Sequence, residues 1–283
     1  MPELPEVEIL VRHLRPLLCG RLIRRVVVRR PKVLQPTSLR KFQAALAGAK
    51  FVGLLRRGKY LLFALRSKSS GKPVTLLGHL GMTGRMFLAQ KNEPPPKHAA
   101  VIFDLGRRNF IYEDTRYFGR MTLDLSATKR LGPEPLSDDF QPETLARELR
   151  RSRQAIKVRL LDQSLVAGVG NIYASEALFR ARISPKRAAN RLTFGQVKEL
   201  WLAIRDVLIA AINGGSTVPL NFSKGKSDGL YYFGRAPGVE DFYTERLQVY
   251  DRAGKRCLNC GRPIKRIVQA ARSTFYCPRC QKS

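Results

Sequence analysis

The chain has 283 residues, of which 44% are apolar, so it is long and apolar enough for two modest domains with their own cores rather than a disordered chain. Its 52 Lys and Arg residues face only 22 Asp and Glu residues, which leaves a formal net charge of +30 at pH 7. Because this excess opposes compaction by self-repulsion, we expect a polyanionic partner, with nucleic acid favoured over anionic membranes and ribosomal surfaces.

The N-terminal segment predicts a helix with one buried face. Pro5 suits the first turn of a helix, and Val7, Leu10, Val11 and Leu14 then recur with the helical period. The segment is acidic where a signal or transit peptide would be basic, and no apolar run in the chain reaches the ~18 residues that cross a bilayer. We therefore expect a cytoplasmic protein without a membrane partner.

Between Leu22 and about Leu125 the pattern changes to short apolar runs separated by turn residues. The runs are Val26–Val28, Leu61–Leu65, Val74–Leu77, Val101–Phe103 and Met121–Leu123. Runs of this length predict β-strands, and their number predicts a sandwich or a barrel. Residues 57–59 and 106–109 are expected at hairpin tips.

Residues 132–135 (GPEP) predict a linker, and beyond them the apolar period changes from two towards 3.6. Pro142 is expected to begin a helix, and Thr193 with Gln196 is expected to form the capping box of another. The predicted boundaries are 1–131 for an N-terminal β-rich domain, 132–150 for the linker and a first helix, 151–220 for a helical domain, 221–248 for a loop region and 249–283 for a cysteine-containing finger.

Four of the five cysteines form two Cys-x-x-Cys pairs near the end of the chain. They are Cys257, Cys260, Cys277 and Cys280. Their spacing is typical of a zinc ribbon, and four thiolates leave no coordination position open for water, so one structural zinc ion is predicted. Two disulfides or a redox role are the alternatives, and a reducing compartment disfavours the disulfides.

The start of the chain offers a candidate nucleophile. Initiator Met is usually removed before Pro, which would leave a secondary amine on Pro2, and an α-amino group has a pKa of ~8 against ~10.4 for lysine. Such an amine can form an iminium with a sugar aldehyde carbon, with Glu3 or Glu6 transferring protons beside it. From these residues alone, an ordinary helix start with favourable carboxylates is the better explanation.

Asn171 follows Gly168 and Gly170 just before a predicted helix at Ile172. In this position its side-chain amide and the free backbone N–H groups of the helix could bind an anion such as a phosphate. An ordinary Asn cap is the alternative. The large positive charge of the chain favours the phosphate site.

Four segments occur in order along nearly the whole chain: residues 1–8 (MPELPEVE), 79–84 (HLGMTG), 170–176 (GNIYASE) and the cysteine finger that ends in Cys280-Gln281. Together they resemble the formamidopyrimidine-DNA glycosylase family, which repairs oxidised purines in bacteria. The resemblance implies an α+β multidomain fold, with an N-terminal β-sandwich behind a leading helix and a C-terminal helix-two-turn-helix domain that carries a zinc-ribbon hairpin.

The resemblance also implies a base-excision repair glycosylase with AP lyase activity, acting as a monomer on duplex DNA that contains oxidised bases or abasic sites. Its substrates would be 8-oxoguanine and formamidopyrimidines, and its place in the cell the bacterial nucleoid. Pro2 would attack the sugar C1′ and form a Schiff base, Glu3 would act in acid and base steps, and Glu6 would support the site. Lys59 would lie near the lesion and its phosphate, and β,δ-elimination would cut the strand.

Two sets of DNA contacts follow from the same resemblance. The residues that would fill the gap left by the flipped nucleotide are Met82, Arg116 and Phe118. The residues that would hold phosphates near the lesion are Lys157, Asn171 and Arg272. His79 and Glu176 are expected to be structural.

Two alternatives stay open. An endonuclease VIII-like enzyme acting on oxidised pyrimidines would keep Pro2 and Glu3, but the three gap-filling residues argue against it. A non-catalytic zinc-ribbon DNA-binding protein would use Pro2 and Glu3 only as a helix start. The segment Val218–Arg246 is longer than the family's short lesion-capping loop, which puts the base specificity in doubt but leaves the Pro2 chemistry untouched.

Overall fold

The computed structural model describes residues 2–68, 71–214 and 247–282. The chain divides into two compact units, of which the first contains Val7–Lys129 and the second contains Arg130–Ser283. Pro2 belongs to the first unit, whereas Glu3–Glu6 belong to the second. The segment Val218–Arg246, expected as an extended loop, lies outside the described residues.

The first unit is a β-sandwich of two antiparallel four-stranded sheets. Its strands are β1 (Arg25–Val28), β2 (Lys50–Arg57), β3 (Tyr60–Arg66), β4 (Pro73–His79), β5 (Gly84–Gln90), β6 (Ala99–Asp104), β7 (Arg108–Asp114) and β8 (Arg120–Thr122). One sheet has the order β1-β6-β7-β5 and the other the order β2-β3-β4-β8. The predicted apolar runs all lie in or overlap these strands, which confirms the sandwich.

Alternation of buried and partly exposed residues explains how the strands form a core. Along β3 every second residue is buried, as expected for a strand with one face on a core. Phe51 and Phe63 of one sheet pack against Phe110 of the other, with ring centroids 5.6 to 6.3 Å apart. These aromatic contacts join the two sheets and fix which strand faces point inward.

Helices flank the sandwich strands in the sequence. They are α1 (Leu4–Leu18), α2 (Leu39–Leu46) and α3 (Ser126–Lys129), with a 3-10 turn at Pro31–Leu34. The predicted apolar face of α1 is buried, because Val7, Leu10, Val11 and Leu14 are at most 1% exposed. The hairpin tip predicted at residues 57–59 is confirmed as a two-residue turn, and Gly58 has the positive φ of +56° that such turns favour.

The second unit is helical. Its helices are α4 (Pro142–Arg150), α5 (Ile156–Leu160), α6 (Asn171–Arg180) and α7 (Phe194–Gly214), followed by the hairpin strands β9 (Lys265–Gln269) and β10 (Arg272–Tyr276). Helix α4 begins at Pro142 as predicted, and the predicted capping box of α7 is present. The Thr193 N–H donates to Gln196 Oε1 at 3.1 Å, and the Gln196 N–H donates to Thr193 Oγ1 at 3.3 Å.

One helix start differs from the sequence prediction. Helix α6 begins at Asn171 with Gly170 as its N-cap residue, and glycine has no side chain to cap it. The Asn171 side chain, for which an N-cap was the alternative to a phosphate site, does not cap α6 but bonds to Lys157 and to the Ser273 carbonyl. Within the described ranges, no helix has the length and apolar character needed to span a membrane.

Candidate active site and nucleic-acid interface

The free N–H groups at the start of α6 bind a carboxylate of the chain itself. Ile172 N–H donates to Glu3 Oε1 at 2.9 Å, and Tyr173 N–H donates to Glu3 Oε2 at 3.3 Å. A helix N-terminus stabilises negative charge through these donors and the helix dipole. In this structure the donors at the start of α6, for which a phosphate was predicted, bind the carboxylate of Glu3, which is 1% exposed.

Glycine makes room for this contact. A Cβ atom on Gly170 would lie 2.3 Å from Cδ of Glu3, and one on Gly168 would lie 2.7 Å from Leu4 Cβ. The Leu4 N–H also donates to the Gly168 carbonyl at 3.1 Å. The two glycines before α6 thus allow Glu3 and Leu4 to approach the backbone of residues 168–170 closely.

A second carboxylate, that of Glu6, binds both Glu3 and the first turn of α6. Its Oε2 accepts the Glu3 N–H, and its Oε1 accepts the Tyr173 hydroxyl, both at 2.5 Å. Pro2 is buried and directly precedes Glu3 in the chain. The candidate nucleophile is therefore one residue away from a carboxylate that two backbone N–H groups fix.

Two of the three residues expected to hold phosphates, Lys157 and Asn171, bond to each other, and the third, Arg272, is near enough to Lys157 for its charge to act on it. The Lys157 ammonium donates to Asn171 Oδ1 at 2.5 Å and to Thr274 Oγ1 at 3.0 Å, and Asn171 Nδ2 donates to the Ser273 carbonyl at 2.9 Å. Burial, with a smaller contribution from the Arg272 charge, lowers the pKa of Lys157 to about 8, although Glu3 opposes this shift. The cluster links α5, α6 and β10.

Arg272 lies at the tip of the β9–β10 hairpin. The turn residues Ala270 and Ala271 have φ angles of +46° and +57°, a left-handed conformation that is unfavourable for residues with a Cβ. Arg272 itself is exposed, whereas Lys157 is fully buried in this structure. The exposed cation of the cluster is therefore the hairpin arginine.

Glu176 fixes the chain where it enters the finger. Its carboxylate accepts the backbone N–H groups of Gln248, Val249 and Tyr250 at 2.8 to 3.0 Å. Burial raises the pKa of Glu176, and the three N–H groups partly oppose that shift. This is consistent with the structural role expected for it.

In the first unit, Lys59 lies in the β2–β3 turn and is 8% exposed. Burial, with the charges of Lys59 and Arg120, lowers the pKa of the nearby His79 to about 4, although Asp114 opposes this. His79 is therefore neutral near pH 7, and its Nδ1 accepts the Gly81 N–H at 3.2 Å. The histidine holds the turn that leads to Met82.

Two adjacent loops of the first unit carry the predicted gap-filling residues. Met82 is 45% exposed and Phe118 is 54% exposed, and the Arg116 guanidinium lies 4.7 Å from the centre of the Phe118 ring. A Cβ atom on Gly81 would lie 2.6 Å from Gly119 N, so the loops are in close contact. We call residues 80–84 and 114–119 the wedge loops.

Asp114 joins the wedge loops, a role that the sequence reasoning missed. Its Oδ1 accepts the Thr83 hydroxyl at 2.6 Å and the Arg116 N–H at 3.2 Å, and its Oδ2 accepts the Gly119 N–H at 2.8 Å and the Tyr112 hydroxyl at 3.3 Å. The side chain is completely buried. The sequence does contain a signal for this role, because Asp114 directly precedes a turn in a chain that has few acids.

The four finger cysteines meet the requirements of a tetrahedral metal site. Their Sγ atoms all lie within 4.8 Å of one another. The Cys257–Cys280 and Cys260–Cys277 sulfur distances are 3.9 and 3.4 Å, close to the ~3.8 Å edge that a zinc–sulfur distance of about 2.3 Å implies. The donor set fits one structural zinc ion, as predicted.

Comparisons with known proteins agree with this geometry. Residues 1–121 match the formamidopyrimidine-DNA glycosylase N-terminal domain, residues 131–221 match the H2TH domain of the same enzyme, and residues 254–282 match a zinc finger found in FPG and IleRS. The formamidopyrimidine-DNA glycosylase of Carboxydothermus hydrogenoformans is 39% identical over 282 residues, covering 100% of both chains, and that of Thermus thermophilus is 43% identical over 290 residues, covering 99% of this chain and 98% of the relative.

Solved structures agree as well. Lactococcus lactis Fpg bound to DNA containing N7-benzyl-Fapy-dG has a TM-score of 0.86 at 34% identity and covers 100% of both chains. The MutM (Fpg) protein of Thermus thermophilus has a TM-score of 0.81 at 42% identity, covering 99% of this chain and 98% of that one. Since family models match most of the chain and relatives align over its whole length, this chain belongs to the formamidopyrimidine-DNA glycosylase family.

Proposed function

We propose that the protein is a base-excision repair glycosylase with AP lyase activity that removes oxidised purines from duplex DNA. The observation that carries this proposal is the Glu3 carboxylate bound by the start of α6, directly after Pro2 in the chain. Structures of a relative, Lactococcus lactis Fpg, contain Fapy-dG DNA or abasic-site DNA, which supports the same substrate class for this protein.

In the proposed reaction, the Pro2 amine attacks C1′ of the damaged nucleotide. The base leaves with the bonding electrons and a proton, and an iminium joins Pro2 to the opened sugar. Loss of a proton from C2′ then expels the 3′ phosphate, and a second elimination expels the 5′ phosphate. Glu3 is positioned to transfer protons in these steps, because its carboxylate cannot rotate away without losing two backbone hydrogen bonds.

Glu6 and Lys59 have supporting roles in this proposal. Glu6 holds the Glu3 N–H and the Tyr173 hydroxyl, which keeps the first turn of α1 in place. Lys59 adds a partly desolvated positive charge, which strengthens its attraction to a lesion phosphate. The wedge residues Met82, Arg116 and Phe118 occupy the space of the extruded nucleotide.

Arg272, with Asn171 and Lys157 behind it, holds the phosphates beside the lesion. The cationic cluster supplies affinity without reading the base sequence. Cys257, Cys260, Cys277 and Cys280 bind one zinc ion, which holds the hairpin of Arg272 in shape and takes no part in the chemistry. The protein acts as a monomer on the DNA of the bacterial nucleoid.

Single-turnover excision across duplexes that each contain one lesion tests the proposal. We expect formamidopyrimidine and 8-oxoguanine opposite cytosine to be removed fastest, and borohydride to trap the enzyme on abasic DNA. A ranking led by oxidised pyrimidines would favour the endonuclease VIII-like alternative. DNA binding without excision or trapping would favour the non-catalytic one.

A further inference from the structure

The end of the sandwich remote from the wedge loops carries many exposed cations. In the sheet that contains β3, Lys50 pairs with Arg66 at the end opposite to the Gly58–Lys59 turn. Lys68 and Lys72 lie in the adjoining turn between β3 and β4. All four of these side chains, at positions 50, 66, 68 and 72, are exposed.

The other sheet ends in the same way. Arg25 of β1 pairs with Asp104, which in turn pairs with Asn109 beside Arg108. The Lys91 N–H donates to the carbonyl of Arg107 at 3.3 Å, which places both at this end. The exposed cations here are Arg24, Arg25, Lys91, Arg107 and Arg108.

The chain between α1 and β1 joins these two sets into one surface. Ile23 N–H donates to the Ala49 carbonyl at 2.9 Å, next to Lys50, and Arg24 N–H donates to the Asp104 carbonyl at 2.8 Å. We call the surface formed by these nine cations the basic end. Among the described residues of its strand ends and turns, the acids are Glu93 and Asp104, and Asp104 binds Lys91 at 2.9 Å.

The basic end is too far from the wedge loops to help hold the same phosphates. Strands β3 and β7 each have seven residues and separate the two ends of the sandwich, which amounts to about 20 Å at a rise of about 3.3 Å per residue. The Debye length at physiological ionic strength is about 8 Å. Charges at the basic end are therefore screened from phosphates at the wedge loops.

We propose that the basic end binds the phosphate backbone of a second segment of duplex DNA, while the first segment occupies the lesion site. The inference rests on the proposed function only for the location of the first segment. Clustered cations repel one another and disfavour the folded state, and a polyanion relieves that repulsion. Contacts from Arg and Lys to phosphates carry no base information, so this binding should be independent of sequence.

A second binding surface changes how the protein leaves DNA. A duplex held at the basic end is already close when the lesion site releases its own duplex, so transfer can occur without free diffusion. Dissociation from the first duplex should then accelerate with the concentration of the second. A protein with one surface would dissociate at a rate that a competitor does not alter.

The test uses the full-length zinc-bound protein and a triple variant, Arg25→Gln with Arg107→Gln and Arg108→Gln. A matched control removes the same charge from exposed residues of α4 and its C-cap, namely Arg147→Gln with Arg150→Gln and Arg151→Gln. The lesion site is filled with a short labelled duplex that carries an abasic analogue. An undamaged duplex with a second label is then added at several salt concentrations.

We expect the wild type and the control to form a ternary complex and to release the first duplex faster as the second is added. The basic-end variant should lose the acceleration, and its slope of log affinity for the second duplex against log salt should fall by about 2 to 3 units. Single-turnover excision should be equal in all three proteins.

Equal second-duplex binding by the two variants, or no ternary complex with the wild type, would overturn the inference. Loss of excision in the basic-end variant would also overturn it, because these arginines would then serve the first segment. Loss of binding to phosphatidylserine vesicles without any ternary complex would assign the surface to a membrane. If none of the three proteins excises a base, the proposed function is refuted. The ternary-complex measurement still tests the basic end in that case, because binding is measured without turnover.

Discussion

The carboxylate of Glu3 occupies the space that a side chain on Gly170 would fill. A Cβ atom there would lie 2.3 Å from Glu3 Cδ and 2.5 Å from its Oε1. Gly170 has φ −132° and ψ −156°, an extended conformation open to any residue, so the glycine is required for space and not for its backbone angles. The position of the carboxylate therefore depends on an absent methyl group.

Gly170→Ala should displace Glu3 from the α6 N-terminus and lower base excision by about 100-fold or more, the range expected when a positioned acid or base is lost. Single-turnover excision of 8-oxoguanine measures this. Gly195→Ala is the matched control, because a Cβ at Gly195 meets nothing within 4 Å. Normal excision by the Gly170 variant would mean that Glu3 need not be held by α6.

Pro2→Gly, or retention of Met1, should severely reduce strand cleavage and borohydride trapping on abasic DNA. In the proposed reaction the prolyl amine bonds to the sugar only during turnover, so binding to an abasic analogue should stay within a few fold of the wild type. Mass spectrometry verifies the N-terminus of each protein. Normal trapping by a form that keeps Met1 would rule out Pro2 as the nucleophile.

Asp114→Asn should impair base removal more than abasic-site cleavage. The amide nitrogen of the substituted side chain would face N–H and O–H groups that are themselves donors, which leaves buried donors unsatisfied. Each unsatisfied buried group costs about 1 to 3 kcal/mol. If this cost raises the barrier for extruding the base, the rate of base removal falls roughly 5- to 150-fold. Cleavage at an abasic site, where no base is extruded, should change less than twofold.

Asp104→Asn provides the control for Asp114, because it makes the same charge change at another turn, where Asp104 accepts the Gly106 N–H. Rates on 8-oxoguanine and abasic duplexes are compared for both variants. Equal losses on the two substrates in the Asp114 variant would indicate general misfolding of the unit rather than misplaced wedge loops.

Zinc removal should abolish DNA binding before it unfolds the sandwich. Cys257, Cys260, Cys277 and Cys280 have the arrangement that one ion needs, and a small metal domain loses its structure without the ion. We expect one zinc per chain by metal analysis. On titration with a chelator, DNA affinity should fall while β-sheet circular dichroism persists; purified active protein without zinc would contradict this.

Binding to DNA should depend on pH through Lys157. Its pKa of about 8 in the free protein is below the ordinary lysine value because of burial and the Arg272 charge, and a phosphate nearby should raise it. The bound state then holds more protons than the free state above pH 8, so affinity should fall as pH rises from 8 towards 10.

Lys157→Met should flatten this pH dependence even though it weakens binding at pH 7. Dissociation constants measured from pH 6.5 to 9.5 at fixed ionic strength test both statements, and calorimetry in two buffers counts the proton taken up. An identical pH profile for the two proteins would show that another group titrates on binding.

Local patterns predicted those parts of the fold that local physics determines. The face of α1, the strand runs and the Thr193–Gln196 box depend on residues a few positions apart, and all are present. Strands β2, β5 and β7 were not predicted. In β7 the apolar run is only three residues long, because the strand ends in the buried acids Glu113 and Asp114, which find partners elsewhere.

The candidate site was less accessible to such reasoning. The spacing of the cysteines is local and was sufficient to predict the zinc site. The catalytic roles of Pro2 and Glu3, by contrast, could be predicted only from the family resemblance. The Asn171 partners Lys157 and Ser273 lie 14 and 102 residues away in the sequence, so local patterns could not reveal that its side chain bonds to them rather than capping α6. The donors at the start of α6 were recognised, but nothing local could identify their anion as Glu3, 169 residues away from Ile172.

The contact of Glu176 with Gln248, Val249 and Tyr250 determines where the chain enters the finger. Because one carboxylate accepts all three backbone N–H groups, a single substitution at position 176 would leave three donors without their acceptor at once. The entry to the finger is thereby coupled to one side chain of α6.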